Sequence, residues 1–398
     1  MATNIYGTGL NSTAGANTIT HYYDRAGVKA ANRMNVYGQW ADKKSMPKKM
    51  GKTFKISRFE HMYDRSTADV DFAAKGFMTA RTADEVSTAL TNATLSEGAG
   101  AVNKRSLQKV TFDTSIARYG EMLDYTDEVE IFSEDYIQVK YREELGELAN
   151  SRYEDLIQLD MLGTATVMYS GDATSMSTIG AAVAVDGTED AEWKVSYDLI
   201  RKGVRKLVRN RAKKNTSIVT GSTKVGTVPV AKAFYAVIGA DVKSDLESLT
   251  RGASYEKEYV YVPAHKYAGA GSLAEGEVGQ MHEVKFIEAE AAVVYASEGA
   301  AVPASYAGGL SYTLNDGIAD ATNPAKFNVY PILFPTEGAF ATVGLKGHDK
   351  IKFNSKSPEQ VENGNPYGTT GFFSYNFFYA GIILREEALL KMLVTASE

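Results

Sequence analysis

Cysteine is absent from this chain of 398 residues, which excludes disulfide frameworks, thiolate metal sites and cysteine nucleophiles. Histidine is scarce, and no two of the five histidines are closer than 17 positions, so a His-Glu-x-x-His zinc motif is absent. No run of eighteen apolar residues occurs, and the first residues carry no basic segment followed by an apolar one. We therefore expect a chain that is made in the cytoplasm and does not span a membrane.

Neither sign of charge dominates the chain. Lysine and arginine number 43 and aspartate and glutamate 49, so the net charge is −6, which argues against a protein that grips nucleic acid through bulk positive charge. A hydrophobic content of 44% and a charged content of 23% are typical of a globular protein with a buried core. The length predicts about two or three structural units of about 150 residues each.

Residues 1–48 are rich in Gly, Asn, Thr and basic side chains and show no sustained period, which predicts an extended arm. Residues 1–60 hold ten basic residues against three acidic ones, and the rest of the chain is correspondingly acidic. Two interpretations stay open: a solvated basic tail, or an arm that docks on an acidic surface of a neighbour.

Two segments alternate between apolar and polar residues and are predicted strands, 52–59 and 109–118. Between them lie some fifty residues of weak pattern, including the flexible stretch 96–101 followed by Lys104 and Arg105. A compact domain seldom keeps so long a connection without a use for it. We therefore predict a long protruding hairpin.

The clearest element is a long helix predicted over 134–162. Ser133 is placed to cap it, Gly163 to end it, and its length would be about 43 Å. The apolar stripe expected to face the core is Ile137, Tyr141, Leu145, Leu148, Leu156 and Leu159.

A second helix is predicted over 197–214, and it carries a basic row. Its inward residues are expected to be Ile200, Val204, Leu207 and Val208. The row itself consists of Arg201, Arg205, Arg209 and Lys213. It could face phosphate, or it could pair with acids on the long helix or on a neighbour.

The remainder is predicted to form a mixed domain over 216–345, with short strands at 284–287, 292–296 and 327–334. A dense strand follows over 372–384, and a helix-like tail over 385–393. The strand should bury one face, formed by Phe373, Tyr375, Phe377, Tyr379 and Ile383.

No catalytic template fits the sequence. A Gly-x-Ser-x-Gly elbow and a phosphate-binding Gly-x4-Gly-Lys loop are both absent, and Gly98 and Gly100 lack the context of a dinucleotide fingerprint. Glu143 and Glu147 lie one turn apart, as solvated surface pairs often do. We therefore predict no catalytic, cofactor-binding or metal-binding residue, and a protein that works by contacting copies of itself.

Three alternatives remain. One is a tail or fibre-type virion component, although trimer-forming heptads are not found. Another is a cytoplasmic enzyme with a dispersed site, because triads assemble from residues distant in sequence. The third is a nucleic-acid binder that uses residues 201–214.

Four segments stand out in order along the chain: residues 47–59, residues 117–120 leading into 126–129, residues 274–279 followed by 285–288, and residues 367–384. Together they resemble the N4-like family of tailed-phage major capsid proteins. Residues 170–191 have no counterpart in the family pattern.

The resemblance implies an α+β fold, the HK97-like capsid fold, divided into four parts. It implies no cofactor and no enzymatic activity. The parts would be an N-terminal arm (1–48), an extended loop (49–120), a peripheral domain with the long helix as its spine (121–215 and 346–398) and an axial domain (216–345).

The resemblance also implies the partners. Copies of the chain would form hexamers and pentamers of an icosahedral head around double-stranded DNA, with weak non-specific contact to that DNA. Scaffolding, portal and decoration proteins are further expected partners, and the location is the virion. The residues expected to contact neighbouring copies are Lys43, Lys44, Lys48, Lys49, Gly98, Gly100, Lys104 and Arg105.

Overall fold

A computed structural model describes most of the chain. The residues described are 36–59, 83–95, 97–98, 107, 109–132, 137–180, 193–215, 232–251, 256–257, 276–302, 314–315, 326–348, 350–361 and 364–397.

The described residues form five α-helices and seventeen strands. The helices are α1 (Ala83–Thr91), α2 (Asp127–Phe132), α3 (Ile137–Leu162), α4 (Tyr197–Arg209) and α5 (Ala240–Ser248). The strands are β1 (Asp42–Met46), β2 (Thr53–Phe59), β3 (Lys109–Ser115), β4 (Ala117–Thr126), β5 (Val167–Tyr169), β6 (Phe234–Ile238), β7 (Thr250–Arg251), β8 (Glu256–Lys257), β9 (Glu277–Met281), β10 (Val284–Glu288), β11 (Leu314–Asn315), β12 (Lys326–Phe327), β13 (Tyr330–Phe334), β14 (Phe340–Leu345), β15 (Lys352–Lys356), β16 (Thr370–Ile383) and β17 (Leu390–Val394).

A five-stranded sheet is built around β16. Its first half pairs with β15 on one side, its second half pairs with β14, and β4 runs antiparallel to it over ten residue pairs. β1 adds to the far side of β14 in parallel. Because side chains alternate along a strand, β16 presents its odd-numbered residues to one face and its even-numbered ones to the other.

The long helix α3 packs on the odd face of β16. Phe373, Tyr375, Phe377 and Tyr379 are 2–3% exposed, which confirms the predicted burial of this face. Tyr153 of the helix makes edge-on ring contacts with Phe377 and Tyr379, at centroid distances of 5.7 and 5.5 Å. Aromatic pairs prefer such geometry, and it fixes the helix along the strand.

The predicted apolar stripe of α3 is partly wrong. Leu145 is buried as predicted, and Tyr141 and Leu156 pack against the core, but Leu148 and Leu159 are exposed. The side chain of Ile137 lies outside the described residues. Ala149 and Ile157 are buried instead, together with Glu154, a polar residue that a hydrophobicity pattern does not anticipate. The helix ends at Leu162 as predicted, and the predicted cap Ser133 lies outside the described residues.

A six-stranded sheet runs in the order β5-β17-β13-β6-β10-β9. α4 covers it through Ile200, Val204 and Leu207, as predicted, while Val208 is 53% exposed and α4 ends five residues before the predicted Lys214. Asn210 follows α4, and its side-chain amide donates to the carbonyl of Glu387 at 2.8 Å, which ties the end of the helix to the chain that leads into β17.

Two sequence predictions about this sheet are wrong. Residues 390–394 form a strand, not a helical tail, preceded by a short 3-10 helix at Glu386–Ala388. β17 lies between two other strands and is largely buried on both faces, so its apolar residues, interrupted only by Lys391, carry no period that separates strand from helix. Residues 292–296 contribute only an isolated bridge, between Tyr295 and Val329. The predicted strands at 284–287 and 327–334 are present.

The two predicted strands 52–59 and 109–118 form an antiparallel hairpin, β2 and β3, which is confirmed. Its base is fixed to the body of the molecule. The hydroxyl of Thr114 donates to the carbonyl of Gly381 at 3.0 Å, and Arg58 forms an ion pair with Glu387 at 2.7 Å. The predicted second strand is interrupted after Ser115, where Ile116 turns into the core and the chain continues as β4.

The last part of the predicted arm is packed against the body. Tyr37 is 5% exposed and begins a short 3-10 helix at Tyr37–Trp40, and β1 then joins the five-stranded sheet. The carboxylate of Glu154 accepts hydrogen bonds from the backbone N–H groups of Tyr37 and Gly38. It satisfies the donors at a helix start, which would otherwise lie unpaired in the interior.

Candidate contact surfaces

Neither a metal site nor a membrane segment is apparent in the described residues. No group of three His, Asp or Glu side chains there is arranged to hold a metal ion. None of the helices in that part of the chain combines the length and apolarity that crossing a membrane requires. The surfaces of interest are therefore those that could meet another macromolecule.

The four lysines of the predicted arm lie on or beside β1 and are exposed. Lys43 and Lys44 belong to the strand, whereas Lys48 and Lys49 follow it. Lys49 adopts a φ of 67°, the left-handed region, and a Cβ atom added at Gly347 would lie 3.4 Å from Lys48 Nζ. The turn after β1 thus packs against the turn between β14 and β15.

The far part of the hairpin is described only in pieces. Gly98 has a φ of 75°, which favours glycine, and nothing lies within 4 Å of the position of a Cβ there. Gly100, Lys104 and Arg105 lie outside the described residues. Leu90, at the end of α1, and Leu95 are 64% and 74% exposed.

The basic row of α4 is exposed. Arg201 is 3.9 Å from Asp198 on the same helix, a loose surface pair of little energetic weight. Arg205 and Arg209 have no acidic partner within 4 Å among the described residues, and Lys213 is exposed beyond the helix end. Among the described residues, the row therefore does not pair with acids of the long helix. Contact with phosphate and contact with acids of a neighbouring copy remain as the interpretations of the row.

Lys206 of the same helix behaves differently. Its ammonium group donates to the carbonyl of Val167 at 3.2 Å, and burial lowers its pKa. This lysine fastens α4 to β5 and does not add to the basic surface.

An exposed apolar region beside β4 was not predicted from the sequence. Val129, Ile131 and Phe132 of α2 are 38%, 69% and 81% exposed, and Met122 of β4 is 60% exposed. α2 has six residues, which is too few to show a period, so no pattern revealed it. The alternation within 117–126 could have revealed Met122, because it lies out of phase with Leu123 and Tyr125.

β4 is also an edge strand among the described residues. It pairs with β16 along one side, and no described strand pairs with its other side. Such an edge offers a row of N–H and C=O groups to another chain.

Known proteins that are similar to this chain are capsid proteins of phages. No protein-family model matches the chain. The major capsid protein of Pseudomonas phage KPP21 is 28% identical to it over an alignment 404 residues long, which covers 96% of this chain and 94% of that protein.

Solved structures agree in fold. The capsid of Ralstonia phage GP4 matches with a TM-score of 0.56 at 10% identity, covering 98% of this chain and 99% of that one. The capsid asymmetric unit of cyanophage Pam1 matches with a TM-score of 0.51 at 13% identity over the whole of both chains. The chain therefore has the α+β, HK97-like fold, as the resemblance implied.

Proposed function

We infer that this chain is the major capsid protein of a tailed bacteriophage and works by assembling with copies of itself into the shell of the head. The observation that carries this is the 28% identity to a phage major capsid protein along nearly the full length of both chains. It is a structural protein of the virion and not an enzyme.

We further propose that the chain belongs to the N4-like group of these proteins. The support is the order of the segments 47–59, 117–129, 274–288 and 367–384. All four fall on elements that build the fold: the hairpin strand β2, the edge strand β4, the strands β9 and β10 of the six-stranded sheet, and the central strand β16.

The four-part division is likewise a proposal: arm 1–48, extended loop 49–120, peripheral domain 121–215 and 346–398, and axial domain 216–345. The support is the packing of α3 on β16 and the hairpin β2–β3 leaving the same sheet. Both large sheets extend across the boundary between the axial and peripheral parts, because β14 pairs with β16 and β13 pairs with β17. The two domains would thus share these sheets.

Assembly of this kind depends on many modest contacts. An interface that is weak singly lets a wrong contact dissociate, and repetition around a closed shell makes the whole stable. The proposed contact residues that are described are exposed: the four lysines lie on or just after β1, and Gly98 lies between β2 and β3. A hairpin reaches over a neighbour further than a compact block of the same mass. The residues are Lys43, Lys44, Lys48, Lys49, Gly98, Gly100, Lys104 and Arg105.

The basic row of α4 is proposed to make weak contact with packaged double-stranded DNA or with a neighbouring subunit. Three exposed arginines, of which only Arg201 has an acidic neighbour among the described residues, suit phosphate, while a chain of net charge −6 would not retain DNA tightly. DNA that must enter and leave the head calls for this balance. Scaffolding, portal and decoration proteins are proposed as further partners. The row is Arg201, Arg205, Arg209 and Lys213.

Electron microscopy of the purified protein tests the function. We expect closed polyhedral particles or capsomer rings, with or without a co-expressed scaffolding protein. Monodisperse monomers under every condition, including co-expression with the other head proteins, would contradict the proposal. DNA binding by unassembled subunits, measured at increasing salt concentration, tests the alternative of a nucleic-acid binder. Tight binding that weakens steeply as the salt concentration rises would favour that alternative.

A further inference from the structure

The outer face of the five-stranded sheet, opposite the long helix, separates its charges along its length. This face is formed by the even-numbered residues of β16 and their cross-strand partners, so Arg118, Met122 and Asp124 of β4 all lie on it. Met122 and Asp124 are exposed. Arg118 and Asp124 stand six residues apart in one strand, about 20 Å. One end of the face is basic and the other is acidic.

The basic end consists of Lys48, Arg118, His348 and Lys352. Arg118 and His348 both contact the ring of Phe378, at 5.7 Å from Cζ and 6.2 Å between centroids, and the Lys352 ammonium group meets Nδ1 of His348. Lys48 lies beside the turn that precedes His348. Arg118 and His348 therefore meet at one aromatic ring, and two lysines lie next to His348.

No described carboxylate lies within 4 Å of Lys48, Arg118 or Lys352; Asp349, next to His348, lies outside the described residues. The neighbouring Lys352, Lys48 and Arg118 help to lower the pKa of His348, after the larger contribution of desolvation. Like charges held together repel one another, and an anionic partner would relieve that repulsion.

The acidic end consists of Asp124, Asp127 and Glu128. It is followed in the chain by the exposed apolar residues of α2, Ile131 and Phe132. Apolar residues with charged residues beside them are typical of a protein interface. Lys356 lies across β16 at the level of Asp124, so among the described residues this end has three carboxylates and one amine.

We propose that the basic end of one copy receives the acidic end of a second copy, with Lys48 and Lys352 facing Asp124 and Glu128. Two different surfaces that meet in this way form a head-to-tail contact, and such contacts close into rings when the rotation between copies permits. The separation of about 20 Å keeps the two ends of one copy from satisfying each other. The proposal rests on the function inferred above and names the partner of Lys48.

Charge exchange tests it. Lys48→Glu/Lys352→Glu and Asp124→Lys/Glu128→Lys should each lower the yield of closed particles by about tenfold or more, because each interface recurs many times in a shell. The four changes combined should restore most of the yield. Lys140→Glu/Lys232→Glu changes the same charge at exposed positions outside both ends and should leave the yield within about twofold.

Each result is decisive. Normal yield from Lys48→Glu/Lys352→Glu, or no recovery in the combined variant, overturns the proposal. Normal shells that fail to retain DNA would assign the basic end to DNA instead and also overturn it. If wild-type chains form no particles, the proposed function itself fails. Circular dichroism verifies folding, and a variant that misfolds is replaced by Lys48→Gln/Lys352→Gln, for which the same loss of yield is expected.

A chemical measurement complements the variants. A carbodiimide joins amines to carboxylates that are in direct contact, so treated wild-type particles should yield peptides that link 346–352 or 47–52 to 121–132. Such links should vanish when the particles are dissociated before treatment. Links confined to a single copy, or none in intact particles, would contradict the proposed contact.

Discussion

The two faces of the central strand β16 differ in how deeply their side chains are buried. The odd-numbered residues from Phe373 to Tyr379 are sealed under α3, while the even-numbered neighbours from Phe372 to Phe378 are half-buried. Adjacent residues differ because the strand period is two and one helix covers one side. The comparison teaches that buried and accessible positions alternate residue by residue along a single strand.

The strongest way to break the comparison is to place charge on the covered face. Tyr375→Asp/Phe377→Asp should prevent folding, because each carboxylate buried without a partner costs on the order of several kcal/mol. Ser374→Asp/Asn376→Asp puts the same charges on the other face and should change the free energy of unfolding by about 1 kcal/mol or less per site.

Circular dichroism and limited proteolysis read out both double variants. If the first folds, or if the second unfolds equally, then the two faces are not distinguished as described.

A smaller effect is expected on the helix that does the covering. Glu154→Ala leaves the N–H groups of Tyr37 and Gly38 without their acceptor in the interior, and should cost about 1–3 kcal/mol. Glu144→Ala, on the exposed side of the same helix, should cost less than about 0.5 kcal/mol.

Urea denaturation of unassembled subunits measures the Glu154 effect. Equal losses from the two glutamate variants would show that the carboxylate does not hold the first described segment in place. A readout beyond stability is proteolysis near residue 40, which should accelerate only in Glu154→Ala.

A third prediction concerns pH at the border of the covered face. The Tyr379 hydroxyl donates to Asp160 Oδ2 at 2.8 Å, and desolvation raises the pKa of Asp160 despite this hydrogen bond. A raised pKa in the folded state favours the protonated acid, so its contribution to stability is present below the ordinary pKa of 3.8 and is lost as pH rises through the raised value.

Two variants measure this effect. Asp160→Asn should make the free energy of unfolding depend less on pH between acidic and neutral pH. Urea denaturation at a series of pH values measures this dependence. Tyr379→Phe removes the hydrogen bond and should cost about 0.5–1.5 kcal/mol at neutral pH. A profile in Asp160→Asn identical to that of the unchanged chain would show that this carboxyl does not contribute.

The smallest effect on the fold is expected from the hairpin. Deleting residues 84–103 removes α1 and the segment after it but leaves β2 and β3, whose base is held by Arg58 and Thr114. The subunit should remain folded and soluble while closed particles are lost. Unchanged particle yield by electron microscopy would count against an assembly role for the hairpin, and an unfolded subunit would count against its independence from the core.

The success of the sequence predictions followed the strength of local periodicity. The alternation in 372–384 and in 52–59 gave the strands and their buried sides, because one face of each meets protein and the other does not. The helix over 197–214 was correct in its inward residues up to Leu207, and Val208 was wrong because the covered stripe is narrower than the pattern suggests. The tail at 385–393 failed because a strand buried on both faces has no period.

The candidate contact residues were predicted only as types of side chain. Lysines at 43–49 were visible as a local charge excess, but nothing in their spacing places Lys48 beside His348. The apolar residues of α2 and the acidic residues next to them were not predicted. Six residues are too few to show a helical period, and the acidic residues are spread over two elements.

The amino-acid sequence by itself determined the class of protein and the identity of its strongest elements: no thiol chemistry, no membrane helix by composition, one long helix, one hairpin and one dense strand. Only the tertiary structure decided which sides of these elements are covered, that residues 37–46 pack against the body of the molecule, and that charge divides between the two ends of one sheet face. The physical reason is that periodicity is local, whereas burial and charge clustering depend on side chains that meet across the sheet from distant parts of the chain.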